Sequence, residues 1–235
     1  MKKKKLTRET RYLIDDEGIP WAVSESYRTL RTNITFSQIN NPIRSLLVTS
    51  SVPEEGKSMT TANLGITFAL ARNKVLVVDA DLRRPVLHRL FGLGNNLGLT
   101  HTLAGTVEPE EIYQPTRIDN LWAVTSGLIP PNPSELLGFQ KMRSFLDHAQ
   151  KSFDMVLFDS PPATSTADAA VLASLINNVL LVVRAGVTSR DMVLRARHQL
   201  ETVNARIIGV VLNSVDLKKE RYYFSYYYSY GGEKK

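Results

Sequence analysis

The sequence predicts an α/β fold, a doubly wound and mostly parallel sheet with helices on both faces. Short apolar runs at residues 75–78, 155–158 and 179–183 alternate with longer helical stretches, and that alternation implies right-handed βαβ crossovers. The runs are continuous rather than period-two, as in strands covered on both faces. Two of them end on aspartates, Asp79 and Asp159, which places acidic groups at the carboxyl edge of the sheet.

Taken in order, residues 1–20 read as a loose arm headed by Lys2, Lys3, Lys4 and Lys5, and residues 21–40 as a helix. Glu25, Arg28 and Arg31 share one face of that helix at i, i+3, i+6 spacing. They make either an exposed face with one local ion pair or a subunit contact in which planar Arg forks take a neighbour's carboxylates. Residues 45–49 form the first strand, and a tight polar loop follows. Residues 57–72 are apolar on more than one side, as a helix packed on a sheet must be. Asn73 and Lys74 end it, and the run 75–78 leads into Asp79, Ala80 and Asp81. Short helical pieces broken at Pro85, Gly92, Gly94, Gly98 and Gly105 fill residues 82–120, and 121–125 is a strand. Asn132, Pro133, Ser134 and Glu135 have the order of an N-cap, a first-turn proline and a following Glu, which predicts one helix to about Gln150. Strand 155–158, helix 166–175, strand 179–183, helix 189–203 and strand 207–212 complete the pattern. It stops at Asp216. Of the nine tyrosines, six lie beyond that point: Tyr222, Tyr223, Tyr226, Tyr227, Tyr228 and Tyr230. The chain thus divides into a basic arm over 1–20, a domain over 21–215 and a tyrosine-rich tail over 216–235.

Composition narrows the function. With no cysteine among 235 residues there is no disulfide framework and no thiolate chemistry, which suits the cytosol. His88, His101, His148 and His198 show no metal-ligand spacing. No apolar run approaches the roughly 18 residues needed to span a bilayer, and no signal-peptide pattern follows Met1. The net charge is +6, much of it in the lysine run, which is either a solvated arm or an attraction to an anionic membrane face or an acidic partner. No nucleic-acid partner is expected.

The chemistry lies after the first strand. A strand, a polar loop and a helix opened by Gly56, Lys57 and Ser58 have the layout of a phosphate-binding loop. The first turn of a helix carries unpaired backbone N–H groups, and its dipole favours anions. Lys57 would reach the β- and γ-phosphates of a nucleotide, and the Ser58 hydroxyl would sit on Mg²⁺. The full pattern begins with glycine, and Ser51 stands in that place. Asp79, Asp81 and Asp159 lie at strand ends, on the edge where ligands bind in open α/β sheets. Aspartates near Mg²⁺ often act through its retained waters.

These residues give the chain a resemblance to the bacterial tyrosine kinases of capsule and exopolysaccharide synthesis, P-loop NTPases, in the form where kinase and membrane modulator are separate chains. The family's Walker A loop falls at residues 51–58. Its Asp-x-Asp-x-Arg motif falls at Asp79, Asp81 and Arg83, and its Walker B at 155–162. Its Glu-x-x-Arg-x-x-Arg helix falls at Glu25, Arg28 and Arg31, and its tyrosine cluster at 222–230. The resemblance implies an ATP-dependent protein-tyrosine kinase using Mg²⁺. Lys57, Asp79, Asp81 and Asp159 would be catalytic, with Asp79 accepting the proton of the attacking hydroxyl. Ser58, Asp81 and Asp159 would hold the metal with its water. The nucleotide would lie on Ser51, Pro53, Glu54, Glu55, Gly56, Lys57, Ser58 and Met59, with Asn213 at the adenine edge. The family further implies a homo-oligomeric ring joined through Glu25, Arg28 and Arg31. It implies activation by the cytoplasmic segment of a membrane modulator, other protein tyrosine substrates, an opposing phosphotyrosine phosphatase, and a cytoplasmic location held peripherally at the inner face of the membrane. One departure stands out. The family loop has a glycine after Pro53, and here it is Glu54, whose side chain should point to solvent.

The tail is then read as substrate. From Val215 to Tyr230 its extended reach is roughly 50 Å, against a radius of gyration of roughly 18 Å for such a domain, so it spans to a neighbour's site. Two alternatives stay open at this point. One is a partition or division-site ATPase of the same superfold, although those carry a signature lysine where this chain has Val52. The other is a catalytically weak scaffold disabled by Glu54.

Overall fold

A computed structural model of the chain describes residues 13–37, 42–138 and 140–215. The lysine run and the six tail tyrosines lie outside the described residues. The strands are β1 (Ser45–Ser50), β2 (Val75–Asp79), β3 (Gln114–Pro115), β4 (Leu121–Val124), β5 (Met155–Asp159), β6 (Asn178–Arg184) and β7 (Arg206–Asn213). The helices are α1 (Trp21–Phe36), α2 (Lys57–Leu70), α3 (Leu87–Phe91), α4 (Leu99–Ala104), α5 (Pro133–Leu137), α6 (Gln140–Ser152), α7 (Asp168–Ile176) and α8 (Arg190–Thr202), with a 3₁₀ turn at Pro109–Ile112.

The strands form one sheet in the order β3-β4-β2-β5-β1-β6-β7. Every pairing is parallel except that of β3 with β4. Every residue of β1, β2 and β5 is buried, and each strand carries a continuous apolar run of three or four residues. Alternate residues feed two cores. Leu46, Val48, Val75 and Val77 pack with Ile34 of α1, with Leu64, Ile66 and Phe68 of α2 and with Leu87 of α3. Leu47, Leu76 and Val78 pack on the other face with Leu99 of α4, Phe145 of α6, Leu172 of α7 and Leu200 of α8. The doubly wound expectation therefore holds.

This order decides where the site is. β5 is the middle strand, with β1 on one side and β2 on the other, so the loops leaving all three emerge side by side at the carboxyl edge. In register, Asp159 lies opposite Asp79 on one flank and Val48 on the other.

Four features depart from the sequence reading. The single helix from 133 to about 150 is two helices, α5 and α6, parted at Gly138; glycine costs about 1 kcal/mol in a helix interior. Asn132 does not cap α5 with its side chain; its Nδ2 donates to Glu135 Oε2 at 3.2 Å instead. The two-residue strand β3 went unforeseen because it is too short for any periodic signal and ends on a proline. The arm is also tied down along its described part. Leu13 is buried, the Ile14 amide donates to Asn63 Oδ1 at 3.0 Å, and Asp15 and Asp16 pair with Arg117. Among the described residues, no helix is long and apolar enough to cross a membrane.

Candidate functional site

The loop from Ser51 to Gly56 turns the chain out of β1 and into α2. Two of its residues have left-handed backbone, Glu54 with φ 65° and Gly56 with φ 90°. Gly56 is required twice over, because a Cβ there would also lie 2.1 Å from Asn213 Nδ2. Glu54 adopts a left-handed backbone that ordinarily favours glycine, and it is exposed, as its charge requires. Pro53 is exposed beside it, whereas Ser51 is fully buried and its Oγ has no partner. Met59 is partly buried and packs against the core on the α2 face.

Lys57, the first residue of α2, stretches across the carboxyl edge. Its Nζ lies 2.8 Å from Asp81 Oδ2, 3.4 Å from Asp159 Oδ1 and 3.3 Å from Ser58 Oγ. Its side chain is 12% exposed, against 6% for Asp81 and 0% for Asp159. Burial works against the ammonium charge, but Asp159 and Asp81 outweigh it and hold Lys57 above its ordinary range. Asp81 is fixed by its second oxygen, which accepts from the Arg84 amide at 3.0 Å.

Asp79 lies deeper. Its Oδ2 accepts from the amides of Val86 and Leu87, both at 2.9 Å, and so pins the start of α3. Its Oδ1 is buried without a hydrogen-bond partner, and so is Asp159 Oδ2. Burial first, and the charge of Asp159 second, push the Asp79 carboxyl well above the ordinary carboxylate range. Burial likewise raises Asp159 against the pull of Lys57.

The four residues Lys57, Asp79, Asp81 and Asp159 thus meet at one rim. The donor set is oxygen-rich, with the Ser58 hydroxyl beside carboxylates. Among the described residues, no group of three or more His, Asp or Glu is placed to hold a metal ion by itself. That combination fits Mg²⁺, which keeps several waters and takes phosphate oxygens alongside one or two carboxylates. The unpartnered carboxylate oxygens fit acceptors for those waters.

Three features of the rim escaped the sequence. Glu55 turns its carboxylate inward, where it is 2% exposed and meets the Val52 amide, the Arg184 amide and the Thr188 hydroxyl. Asn213 donates from Nδ2 to the Glu55 carbonyl at 2.8 Å and accepts from the Ser214 amide at Oδ1, so its amide lies against the loop. Arg83 grips the buried Asp168 with Nε at 2.8 Å and Nη2 at 3.2 Å, and Ser134 donates to the same carboxylate. These hydrogen bonds outweigh burial and hold Asp168 below the ordinary carboxylate range. An Asp at the start of α7 was the sole local hint. On α1, Glu25 and Arg28 pair with each other at 3.1 Å, and Arg31 donates to the Thr67 carbonyl of α2 at 3.2 Å. The structure brings none of these three to the rim.

Comparison with known proteins agrees with this geometry. The sequence profile of the ParA family, described as NUBPL iron-transfer P-loop NTPase, matches residues 43–232. The chain is 40% identical over 203 residues to the tyrosine-protein kinase YwqD of Bacillus subtilis, covering 86% of each chain. It is 36% identical over 231 residues to the putative tyrosine-protein kinase CapB of Staphylococcus aureus, covering 98% of this chain and 99% of that one. The solved kinase domain of the Escherichia coli tyrosine kinase ETK superposes with a TM-score of 0.79 at 36% identity, over 82% of this chain and 75% of that one. With a phosphate-loop lysine lying on two strand-end aspartates, and with relatives of this identity along nearly its whole length, the chain belongs to the bacterial tyrosine-protein kinases of the P-loop NTPase superfamily.

Proposed function

We propose that the chain transfers the γ-phosphate of ATP to tyrosine hydroxyls, and that its first acceptors are Tyr222, Tyr223, Tyr226, Tyr227, Tyr228 and Tyr230 of a neighbouring copy. One observation carries the proposal. The Lys57 ammonium lies within 3.4 Å of Asp81, Asp159 and Ser58 together, so cation, metal-facing carboxylates and hydroxyl converge where the phosphates of a nucleotide on this loop would end.

Each residue has a part. Lys57 neutralises charge on the phosphates, and the amides at the start of α2 cradle them. Ser58, Asp81 and Asp159 orient magnesium and its water. Bound Mg²⁺ supplies charge neutralisation to the transferred group. Asp79 takes the proton of the incoming hydroxyl. An ordinary Asp, with a pKa of about 3.9, is a poor base for a phenol near 10. Burial narrows that gap by raising Asp79, and the loose transition state of phosphoryl transfer asks for little early proton abstraction. Asn213 borders the adenine end.

The proposal extends to assembly. Copies close into a ring through α1, where Arg28 is exposed, and unmodified tails help to close it. Six phosphates would put about −9 to −12 charges on one tail, enough self-repulsion to open the ring. The cytoplasmic segment of a membrane modulator activates the kinase and holds it at the inner membrane face. A phosphotyrosine phosphatase reverses the modification, and the output is control of capsule or exopolysaccharide synthesis and export.

The test is to incubate the pure chain with ATP and Mg²⁺, with and without the modulator segment, and probe for phosphotyrosine. Label should appear on the wild type, vanish in Lys57→Met and move off the tail when the six tyrosines are changed to Phe. Absence of label in both conditions would refute the kinase reading. An unchanged assembly size after phosphorylation would refute the ring model.

A further inference from the structure

The buried carboxylate of Glu55 has no part in the proposed chemistry, yet it is among the most enclosed charged groups of the loop region, at 2% exposure. It lies between the two left-handed residues of the phosphate loop, Glu54 and Gly56. Its Oε2 accepts from the Val52 amide at 2.8 Å and so closes the neck of the loop on itself. Its Oε1 accepts from the Arg184 amide at 3.0 Å and from the Thr188 hydroxyl. Those two donors belong to the end of β6 and the turn that follows, more than a hundred residues away in sequence. The Glu55 carbonyl takes the fourth bond, from Asn213 Nδ2 at 2.8 Å. One residue therefore ties the phosphate loop to β6, to the β6–α8 turn and to the end of β7.

We infer that Glu55 is a positioning residue, a latch that fixes the backbone of the phosphate loop in its anion-binding shape and joins it to the strand ends bordering the base. The inference rests on the nucleotide reading above. The physical reason is that left-handed backbone at Glu54 is disfavoured for an L-residue with a side chain. The loop holds that shape because neighbouring contacts over-determine it, and charge-assisted bonds to N–H donors are the strong ones. A fixed geometry of the loop amides, not a side-chain contact with phosphate, is what Glu55 supplies. A buried anion in the loop is tolerated because three donors face it, the Val52 and Arg184 amides and the Thr188 hydroxyl.

The test measures nucleotide binding and turnover separately, on the full chain. Glu55→Gln keeps the volume and one acceptor but sets an amide N–H₂ against a donor. Its Kd for MgATP, by calorimetric titration at a temperature where circular dichroism shows it folded, should rise at least tenfold, or about 1.4 kcal/mol. KM for ATP should rise with it, while kcat at saturating ATP stays within about threefold. Thr188→Val, outside the loop, removes a single donor and should raise Kd by about threefold or more. A folded Glu55→Gln whose Kd stays within twofold of wild type overturns the latch, as does a Kd in Thr188→Val that does not move. If wild type binds MgATP but labels no tyrosine, the kinase reading fails while the latch stands on the binding data. If wild type binds no MgATP, both fall together.

Discussion

Replacing Asp79 with Asn should stabilise the protein while weakening its chemistry. Asp79 is fully buried, its Oδ1 has no partner, and Asp159 faces it from the adjacent strand. Its raised pKa means that the folded state holds a proton over a pH range in which the unfolded chain has released it. Stability therefore falls as pH rises from the unfolded value near 3.8 through the folded value, and the full cost is present above both. Each pKa unit of raise corresponds to about 1.4 kcal/mol. Asparagine keeps an oxygen for the Val86 and Leu87 amides and carries no charge. Relief of one buried, unpaired charged oxygen is worth about 1–3 kcal/mol, which for a domain of this size raises Tm by about 3–10 °C. Thermal unfolding of both proteins at pH 7.5 and at pH 4 is the assay. The variant should melt higher at pH 7.5, the difference should shrink toward pH 4, and tyrosine phosphorylation should fall. A variant that melts lower at pH 7.5, or whose gain is the same at both pH values, would refute the assigned burden on Asp79.

Lys57→Ala leaves Asp81 and Asp159 without their cation, and breaking a buried pair costs about 3–5 kcal/mol; a large drop in Tm, with phosphorylation reduced at least as much as in Asp79→Asn, is expected. Glu54→Gly removes a side chain from left-handed backbone at φ 65° and should gain about 1–2 kcal/mol. It should also tighten MgATP by removing a negative charge near the phosphates; an unchanged Kd would show that the exposed carboxylate does not act on them. Asp168→Ala removes a buried carboxylate whose pKa is held down by Arg83 and Ser134. That stability is present above the unfolded value and lost as pH falls through the folded one, so a deficit of about 1–3 kcal/mol at pH 7 should shrink as the pH is taken below 3.8. Chelation of Mg²⁺ by EDTA should weaken ATP binding more than tenfold; equal affinity with and without the metal would disprove its place at the rim.

The sheet was legible because its strands carry the signal in their own residues. A run such as 75–78 is apolar throughout since both faces are covered, and an aspartate after it marks the carboxyl edge. The positions of Lys57, Asp79, Asp81 and Asp159 followed from those strand ends. What was not legible is what depends on pairs far apart in the chain. The carboxylate of Glu55 looks like one more polar group in an exposed loop until Arg184, at the end of the strand next to β1, and Thr188, in the turn after it, close over it. Asp168 and Arg83 are 85 residues apart, and neither has a local pattern that names the other. The break at Gly138 was visible as a glycine but was outweighed by the start signal at 132–135, since a helix interior tolerates one glycine at modest cost.

The charge balance at the rim says what kind of anion it takes. Asp79, Asp81 and Asp159 converge there, and Lys57 is the cation that bonds to the last two. A bare polyphosphate would meet more negative charge than positive, although the helix start beneath it favours anions. A divalent cation would reverse that balance, and its waters could donate to the unpartnered oxygens of Asp79 and Asp159, leaving the Lys57 ammonium available to a phosphate. The same carboxylates whose burial is expected to cost stability near neutral pH would therefore favour a metal-bound nucleotide over a free one. On the proposed reading, such a rim keeps carboxylates buried although substitution would relieve them, because the interaction that offsets their desolvation would arrive with the substrate.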